Sequence, residues 1–207
     1  MSKKVRQVFI MKLFIKSICA AAVICIIFSM IPFSAQCRNL SGEVFRLHIL
    51  ANSDSEHDQA LKLKVRDRVL KLTEKIYKGS DSLADAELLT ADNIQAIADA
   101  ASDELRKNNC AYPVKVEIKN MYFNTRYYGK VTMPSGMYDA LRITIGKGEG
   151  HNWWCVMYPS LCIGASTNYN SLKEKTSKDE YELMTGEGYQ FRFKLVEYFE
   201  KICSLFS

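Results

Sequence analysis

The sequence predicts an α+β fold: a largely antiparallel sheet packed with two to four helices and preceded by an N-terminal apolar export or anchor helix. Three observations predict this architecture. Residues 17–33 are apolar and carry no charge. Two segments with apolar residues at helical spacing follow a first short strand, and three strand-like segments come after them. Helices and strands grouped in this way are typical of α+β domains.

Residues 1–37 are predicted to be a signal peptide or membrane anchor, and residues 38–207 a single extracytoplasmic domain. The first segment holds five basic side chains and no acidic one, and its apolar part follows the basic part. This order is typical of export signals, whose positive end stays in the cytoplasm. The other 23 of the 28 basic residues are balanced by 23 acidic ones. The domain is therefore neutral, and nucleic acid is not an expected partner.

The sequence leaves the processing of this N-terminal segment open. Cleavage after Ala35 would place the bulky Phe33 where the peptidase needs a small residue, and Gln36 before Cys37 does not fit a lipoprotein signal. Without cleavage, residues 13–33 would associate with the membrane, because the uncharged run is at the short limit for a spanning helix. A buried helix of a cytosolic protein is the third alternative.

A strand over residues 44–51 and two helices are predicted next. The strand is apolar, β-branched and aromatic. Ser53 and Glu56 fit a capping box at the start of the first helix, which Gly79 ends. Its apolar positions are Leu61, Val65, Val69, Leu72 and Ile76. The second helix covers residues 90–107, with an apolar stripe of Ile94, Ile97, Ala98, Ala101 and Leu105.

The later part of the domain is predicted to hold three strands and a C-terminal helix. Residues 114–119 alternate between apolar and charged, and residues 137–146 alternate in the same way. The GKGEG segment at 146–150 lacks the ending of a phosphate loop and leads into another strand at 152–159, so it is interpreted as a hairpin turn. The helix is predicted over residues 189–205. Strand order is not predicted.

No metal or cofactor site is predicted. Asp54, Glu56 and Asp58 resemble the start of a calcium loop, but Gln59 stands where glycine is needed and Val65 where the bidentate glutamate should be. The three histidines are scattered along the chain: His48, His57 and His151. A zinc site would need three or four converging ligands.

The segment GHNWWCVMYPSLC at 150–162 allows a catalytic thiol, a disulfide or, in an anoxic environment, two free cysteines. A base at His151 could activate Cys155, but on a strand these residues would be about 13 Å apart. A disulfide between Cys155 and Cys162 is the favoured alternative, and it would stabilise the fold by about 2.5 kcal/mol. Further pairings cannot be assigned from sequence, since three more cysteines lie outside the apolar segment: Cys37, Cys110 and Cys203.

Trp153 and Trp154 are adjacent, so on a strand they face opposite ways. One can enter the core, and the other is then exposed or covered by another element. Exposed large aromatics are frequent binding anchors. Together with His151, the two tryptophans are therefore candidate partner-binding residues.

The residues HILANSDS at 48–55 and GKGEGHNWWCVMYP at 146–159 resemble stage II sporulation protein R, a family from endospore-forming bacteria. The similarity extends over 46–70 and 126–162 and includes the basic, then apolar N-terminus. The resemblance implies a signalling protein made in the forespore and exported into the space between the forespore and mother-cell membranes.

The resemblance also implies a partner and a role. In that family the exported protein activates a membrane-embedded aspartic protease, which processes the precursor of the early mother-cell sigma factor. The chain itself is then not an enzyme. The alternative is an exported enzyme, a cell-wall hydrolase or thiol transferase, that uses Cys155 with His151 or His48.

Overall fold

A computed structural model describes residues 3–159, 162–163, 166–167, 173–186 and 192–198. The helices are α1 Lys3–Ser41, α2 Glu56–Ile76, α3 Leu83–Asp92, α4 Ile94–Lys107 and α5 Lys178–Thr185. The strands are β1 Phe45–Leu50, β2 Val114–Phe123, β3 Arg126–Tyr128, β4 Val131–Met133, β5 Gly136–Ile145, β6 Asn152–Tyr158, β7 Cys162–Ile163 and β8 Ser166–Thr167. Residues 173–175 and 192–198 are also helical.

The central sheet has four strands in the order β2-β5-β1-β6. Strand β1 is parallel to β5 and antiparallel to β6, and β2 is antiparallel to β5. Two small hairpins, β3–β4 and β7–β8, lie outside this sheet. The α+β class and the largely antiparallel sheet are therefore confirmed.

The interpretation of GKGEG as a hairpin turn is wrong, because β1 lies between β5 and β6. Residues 146–151, which we call the crossover loop, pass over the end of β1 instead. Gly146 and Gly148 have positive φ angles of 59° and 68°, a conformation that glycine adopts without strain. A β-carbon on Gly150 would lie 2.2 Å from the carbonyl oxygen of Ser53, so only glycine fits this close approach.

Two helix boundaries also differ from the sequence prediction. The N-cap of α2 is Ser55, whose hydroxyl accepts a hydrogen bond from the Asp58 amide at 3.2 Å. Ser53 instead donates to the Asp58 carboxylate at 2.6 Å. The helix predicted over residues 90–107 is divided at Asn93 into α3 and α4. The sequence pattern detected the stripe of α4 correctly, since Ile97, Ala101 and Leu105 are buried.

One face of the sheet, which we call the helix face, packs against α2 and α4. Leu47 and Ile49 of β1 are fully buried there, with Leu141 and Ile143 beside them on β5. Three side chains of α2 are buried in the same core: Leu61, Val65 and Val69. Burial of each such side chain contributes about 1.5–3 kcal/mol, so this face contributes substantially to the stability of the domain.

Helix α1 has 39 residues and contains Pro32. Its residues 9–41 are long and apolar enough to cross a membrane. The end of the helix contacts β5, and three of its side chains are buried in the core: Phe33, Cys37 and Leu40. The predicted boundary at residue 37 falls inside this helix. Of the predicted C-terminal helix at 189–205, residues 192–198 are helical and the others lie outside the described residues.

Candidate functional site

The two tryptophans of β6 lie on opposite faces of the sheet, as their adjacency predicts. Trp153 is paired in register with Ile49 and Trp154 with His48. The Arg66 guanidinium of α2 lies 4.3 Å from the centre of the Trp153 ring, so this ring is held between the sheet and a helix. Trp154 lies on the other face, among aromatic and basic side chains.

The surroundings of Trp154 form an aromatic cluster. The Trp154 ring stacks on His48 with 3.9 Å between centroids and 3° between planes. The Phe123 ring meets it edge-on at 4.8 Å. The Arg126 guanidinium lies 5.3 Å from the ring centre, and cation–π contacts of this kind favour binding of basic side chains to tryptophan. We call the surface formed by His48, Glu117, Arg126, Arg142 and Trp154 the arginine face.

The arginine face carries an excess of positive charge. Glu117 is its acidic residue, and it lies 2.7 Å from the Lys115 ammonium and 3.7 Å from Arg142. The hydrogen bond from Lys115 holds the pKa of Glu117 below its usual value. Lys119, on the same side of β2 as Lys115 and Glu117, is exposed. Three cations thus act on the Glu117 carboxylate, and Arg126 adds a fourth positive charge near Trp154. This excess of positive charge attracts acidic groups.

His48 takes part in this surface as a neutral ring. Burial lowers its pKa, a hydrogen bond with Asn152 at 2.8 Å opposes that effect, and the positive charges of Arg142 and Arg126 lower it further. A neutral imidazole can stack on Trp154 without adding a buried charge. His48 therefore fixes the orientation of the tryptophan ring.

The buried cation Arg46 packs beneath the arginine face and contacts several of its neighbours. Arg46 is fully buried, and its guanidinium donates to the Cys155 carbonyl at 3.0 Å and to the Tyr128 hydroxyl at 2.9 Å. The rings of Phe123 and Tyr138 lie 4.4 Å and 4.8 Å from its Cζ atom. Tyr128 donates onward to the Trp154 carbonyl at 3.1 Å. This chain of contacts joins the β3–β4 hairpin to β6 and thereby positions Arg126 near Trp154.

At one end of the sheet, the crossover loop packs against the start of α2. Asp58 is 4% exposed and accepts hydrogen bonds from Asn52 at 2.8 Å and Ser53 at 2.6 Å. Burial alone would raise the pKa of Asp58, but the hydrogen bonds from Ser53, Asn52 and His57 hold it below the usual value. Asp58 thus stays ionised and ties the loop after β1 to the helix.

Lys62 makes the second connection at this end. Its buried ammonium donates to the His151 carbonyl at 2.8 Å and to Gln59 at 2.5 Å. Asp54 accepts from both the backbone amide and the ring of His151, and these bonds hold the pKa of Asp54 low. We call Asp54, Asp58, Gln59, Lys62 and His151 the apical network. It brings together the two sequence segments that carry the family resemblance.

The residues of the alternative enzymatic site are not brought together. Cys155 is buried and disulfide-bonded, and its register partner Leu47 places it on the helix face, whereas His48 lies on the opposite face. The side chain of His151 is 78% exposed and pairs with Asp54. The side chain of Cys162 lies outside the described residues, as does Cys203, so the predicted pairing of Cys155 with Cys162 stays a prediction.

The basic residues that organise the site are not predicted by the sequence pattern. Arg46 and Lys62 are buried, while Arg66, Arg126 and Arg142 lie against tryptophan or beside His48. A signal was available for two of them, since Arg46 interrupts an apolar strand and Lys62 follows Leu61 of the apolar stripe. Within the described ranges, no group of three or more His, Cys, Asp or Glu side chains could hold a metal ion.

These features define a class: an α+β domain with a long apolar N-terminal helix and a basic, aromatic surface suited to binding a partner. Residues 41–168 match the stage II sporulation protein R family. Stage II sporulation protein R of Bacillus subtilis (strain 168) is 35% identical over 146 residues, which are 70% of this chain and 65% of that relative. No solved structure matches the chain. The chain belongs to the stage II sporulation protein R family and is a sporulation protein.

Proposed function

We propose that the protein is an exported signal that activates a membrane-embedded aspartic protease in the intermembrane space between forespore and mother cell. The activated protease then processes the precursor of the early mother-cell sigma factor. Membership of the stage II sporulation protein R family, over residues 41–168, carries this proposal. The basic and apolar N-terminal segment supports export.

If the signal activates the protease by binding alone, it must bind the active state of the protease more tightly than the inactive state. A shift from mostly inactive to mostly active needs about 5.5 kcal/mol of difference between the two binding free energies. Stabilising a dimeric protease is one route, because the catalytic site of an aspartic protease can be shared between two chains. The signal therefore needs a surface with strong, specific anchors.

The arginine face is the surface we propose for this contact. Trp154 offers a partly exposed aromatic ring, and tryptophan and arginine are the residue types most often responsible for interface affinity. Arg126 and Arg142 can each form paired hydrogen bonds to a carboxylate. The partner region should therefore be an acidic segment on the outer side of the protease. His151 can add an exposed contact, whereas Trp153 is held beneath Arg66.

A processing immunoblot in a host that does not sporulate tests the function. The full chain, the protease and the sigma-factor precursor are expressed together, with an inactive protease variant as the negative control. We expect the shortened sigma factor only when all three active proteins are present. Absence of processing, with the chain exported and folded, would contradict the proposed function.

The contact surface is tested in the same assay with charge reversals. Arg126→Glu combined with Arg142→Glu should lower processing at least tenfold, because it turns attraction for an acidic segment into repulsion. Arg106→Glu is the matched control, since Arg106 is exposed on α4 and pairs with Asp103 of the same helix. If both variants process equally, the arginine face is not the contact surface, although the function stands.

The enzymatic alternative makes a different prediction about Cys155. A catalytic thiol should react rapidly with a thiol reagent in the folded, exported domain, with a lowered pKa. We expect no reaction at Cys155 before reduction, because it is buried and disulfide-bonded. A reactive Cys155 would favour the exported enzyme.

A further inference from the structure

Helix α1 passes abruptly from an exposed to a buried environment. Phe28 is 69% exposed and Ile31 55% exposed, whereas Phe33 is 2%, Cys37 3% and Leu40 0% exposed. The exposed part is apolar on all sides, as expected for a helix surrounded by lipid. The buried part belongs to the same unbroken helix, so the candidate membrane span and the domain core share one element.

The buried end of α1 is covered by the last described helices. The ring of Phe33 lies 5.2 Å from that of Phe193, and the Arg192 guanidinium lies 5.9 Å from the Phe33 ring centre. Gln36 and Asn39 line a cleft whose other wall includes the beginning of α5. Residues 33–40 are thus surrounded on several sides by the domain and are part of its tertiary structure.

We propose that α1 is a permanent anchor, and that it holds the domain directly against the outer surface of a lipid bilayer. Cleavage after Ala35 would separate Phe33 from Phe193 and open the core. The same Phe33 occupies the position at which the peptidase needs a small residue. One side chain therefore stabilises the domain and protects the anchor from removal.

The length of the helix fixes where the domain sits. At about 1.5 Å per residue, the helix from Lys16 to Phe33 is about 26 Å long, and from Lys12 about 32 Å. The hydrocarbon core of a bilayer is about 30 Å thick. When the lysines lie at the inner surface, Phe33 emerges at the outer one. The domain begins there without a linker, and Arg192 beside Phe33 lies at the level of the lipid headgroups.

The first test is the size and location of the full chain in an exporting bacterial host. We expect the intact mass in membranes that resist alkaline carbonate extraction. A shortened, soluble domain beginning at Gln36 would overturn the proposal. Phe33→Ala places a small residue three positions before the cleavage point, so it should yield a cleaved or degraded chain. Phe33→Leu keeps a large apolar side chain and should remain intact.

The second test separates folding from cleavage. The full chain is synthesised without peptidase into lipid nanodiscs, and the thermal midpoint of the domain is measured. Phe33→Ala should lower the midpoint by about 10 °C, because it removes a buried ring. Phe28→Ala is the matched control and should shift it by less than about 2 °C, since Phe28 faces lipid. Equal shifts would overturn the proposal. Neither test involves the protease, so the outcome is independent of the proposed function.

Discussion

Trp153 and Trp154 are neighbours in sequence, and each lies near an arginine, but their surroundings differ. Trp153 is partly buried on the helix face, with the Arg66 guanidinium of α2 over its ring. Trp154 stacks on His48 at the partly exposed arginine face, where the nearest guanidinium comes from the small β3–β4 hairpin. Both rings are partly buried and pack against the core, so they differ in the face of the sheet that they cover. One dipeptide thus contributes to two surfaces, and the contact that we propose uses the second.

Substitution of the two tryptophans should separate these purposes most clearly. Trp153→Ala should lower the free energy of unfolding by about 3 kcal/mol, because it leaves a gap between sheet and helix, while processing continues at a temperature where the variant is folded. Trp154→Ala should reduce processing at least tenfold and cost about 2 kcal/mol in stability. Denaturant unfolding and the processing immunoblot are the two measurements. Equal loss of processing in both variants would contradict the distinction.

Substitution of Asp58 tests how much the apical network, at the end of the sheet, contributes to stability. Asp58→Asn should lower the free energy of unfolding by about 1–3 kcal/mol at neutral pH, because the bonds from Asn52 and Ser53 both end on one carboxylate oxygen and lose the strength that its negative charge gives them. The pKa of Asp58 is lowered in the folded state. Its contribution is therefore complete above the unfolded pKa and is lost as the pH falls through the folded pKa.

The dependence of the free energy of unfolding on acidic pH distinguishes the contribution of Asp58 from those of other side chains. The wild-type domain should lose stability as the pH falls below about 4, and the Asp58→Asn variant should lose less over the same range. Urea unfolding at several pH values measures the difference. Glu117→Gln is the control from the arginine face, and its effect should be small because Glu117 is partly exposed. Parallel pH curves for the wild type and Asp58→Asn would contradict the assignment.

Tyr128→Phe should weaken the connection between the hairpin and β6. The hydroxyl accepts from Arg46 and donates to the Trp154 carbonyl. Its removal should cost about 1–3 kcal/mol of stability, because a donor of the buried Arg46 guanidinium loses its acceptor. Processing should fall a few-fold, since Arg126 would be held less firmly beside Trp154. Tyr127→Phe is the matched control, because Tyr127 is exposed on the same strand. A stability loss without any change in processing would show that the hairpin does not contribute to the contact.

His151→Ala should have the smallest effect. The side chain is exposed and pairs with an exposed Asp54, so the free energy of unfolding should change by less than about 0.5 kcal/mol. The backbone bond from Lys62 to the residue-151 carbonyl is kept in the variant. Processing should stay within about twofold of the wild type. A tenfold loss would move the contact surface from the arginine face to the apical network.

Several features of this protein were determined by the sequence alone. The period of two in β2 and β5 predicted both strands, and the adjacency of Trp153 and Trp154 predicted that their rings face opposite ways, because side-chain alternation is a property of the extended backbone itself. The helical spacing of apolar residues in α2 and α4 likewise follows from local backbone geometry. The predicted start of α2 is wrong by two residues: the N-cap is Ser55 instead of Ser53, because the Ser53 hydroxyl is hydrogen-bonded to the buried Asp58 carboxylate.

Tertiary structure decided what these elements bring together. No local pattern indicates that β1 inserts between β5 and β6, since strand order depends on pairing between distant segments. That insertion places the crossover loop over α2 and creates the apical network. It also positions His48 beside Trp154, with Arg126 and Arg142 converging from two other strands. The burial of Phe33 likewise depends on Phe193, which lies far along the chain. The sequence determined the elements through local backbone geometry, and only long-range packing decided the surfaces and the anchor.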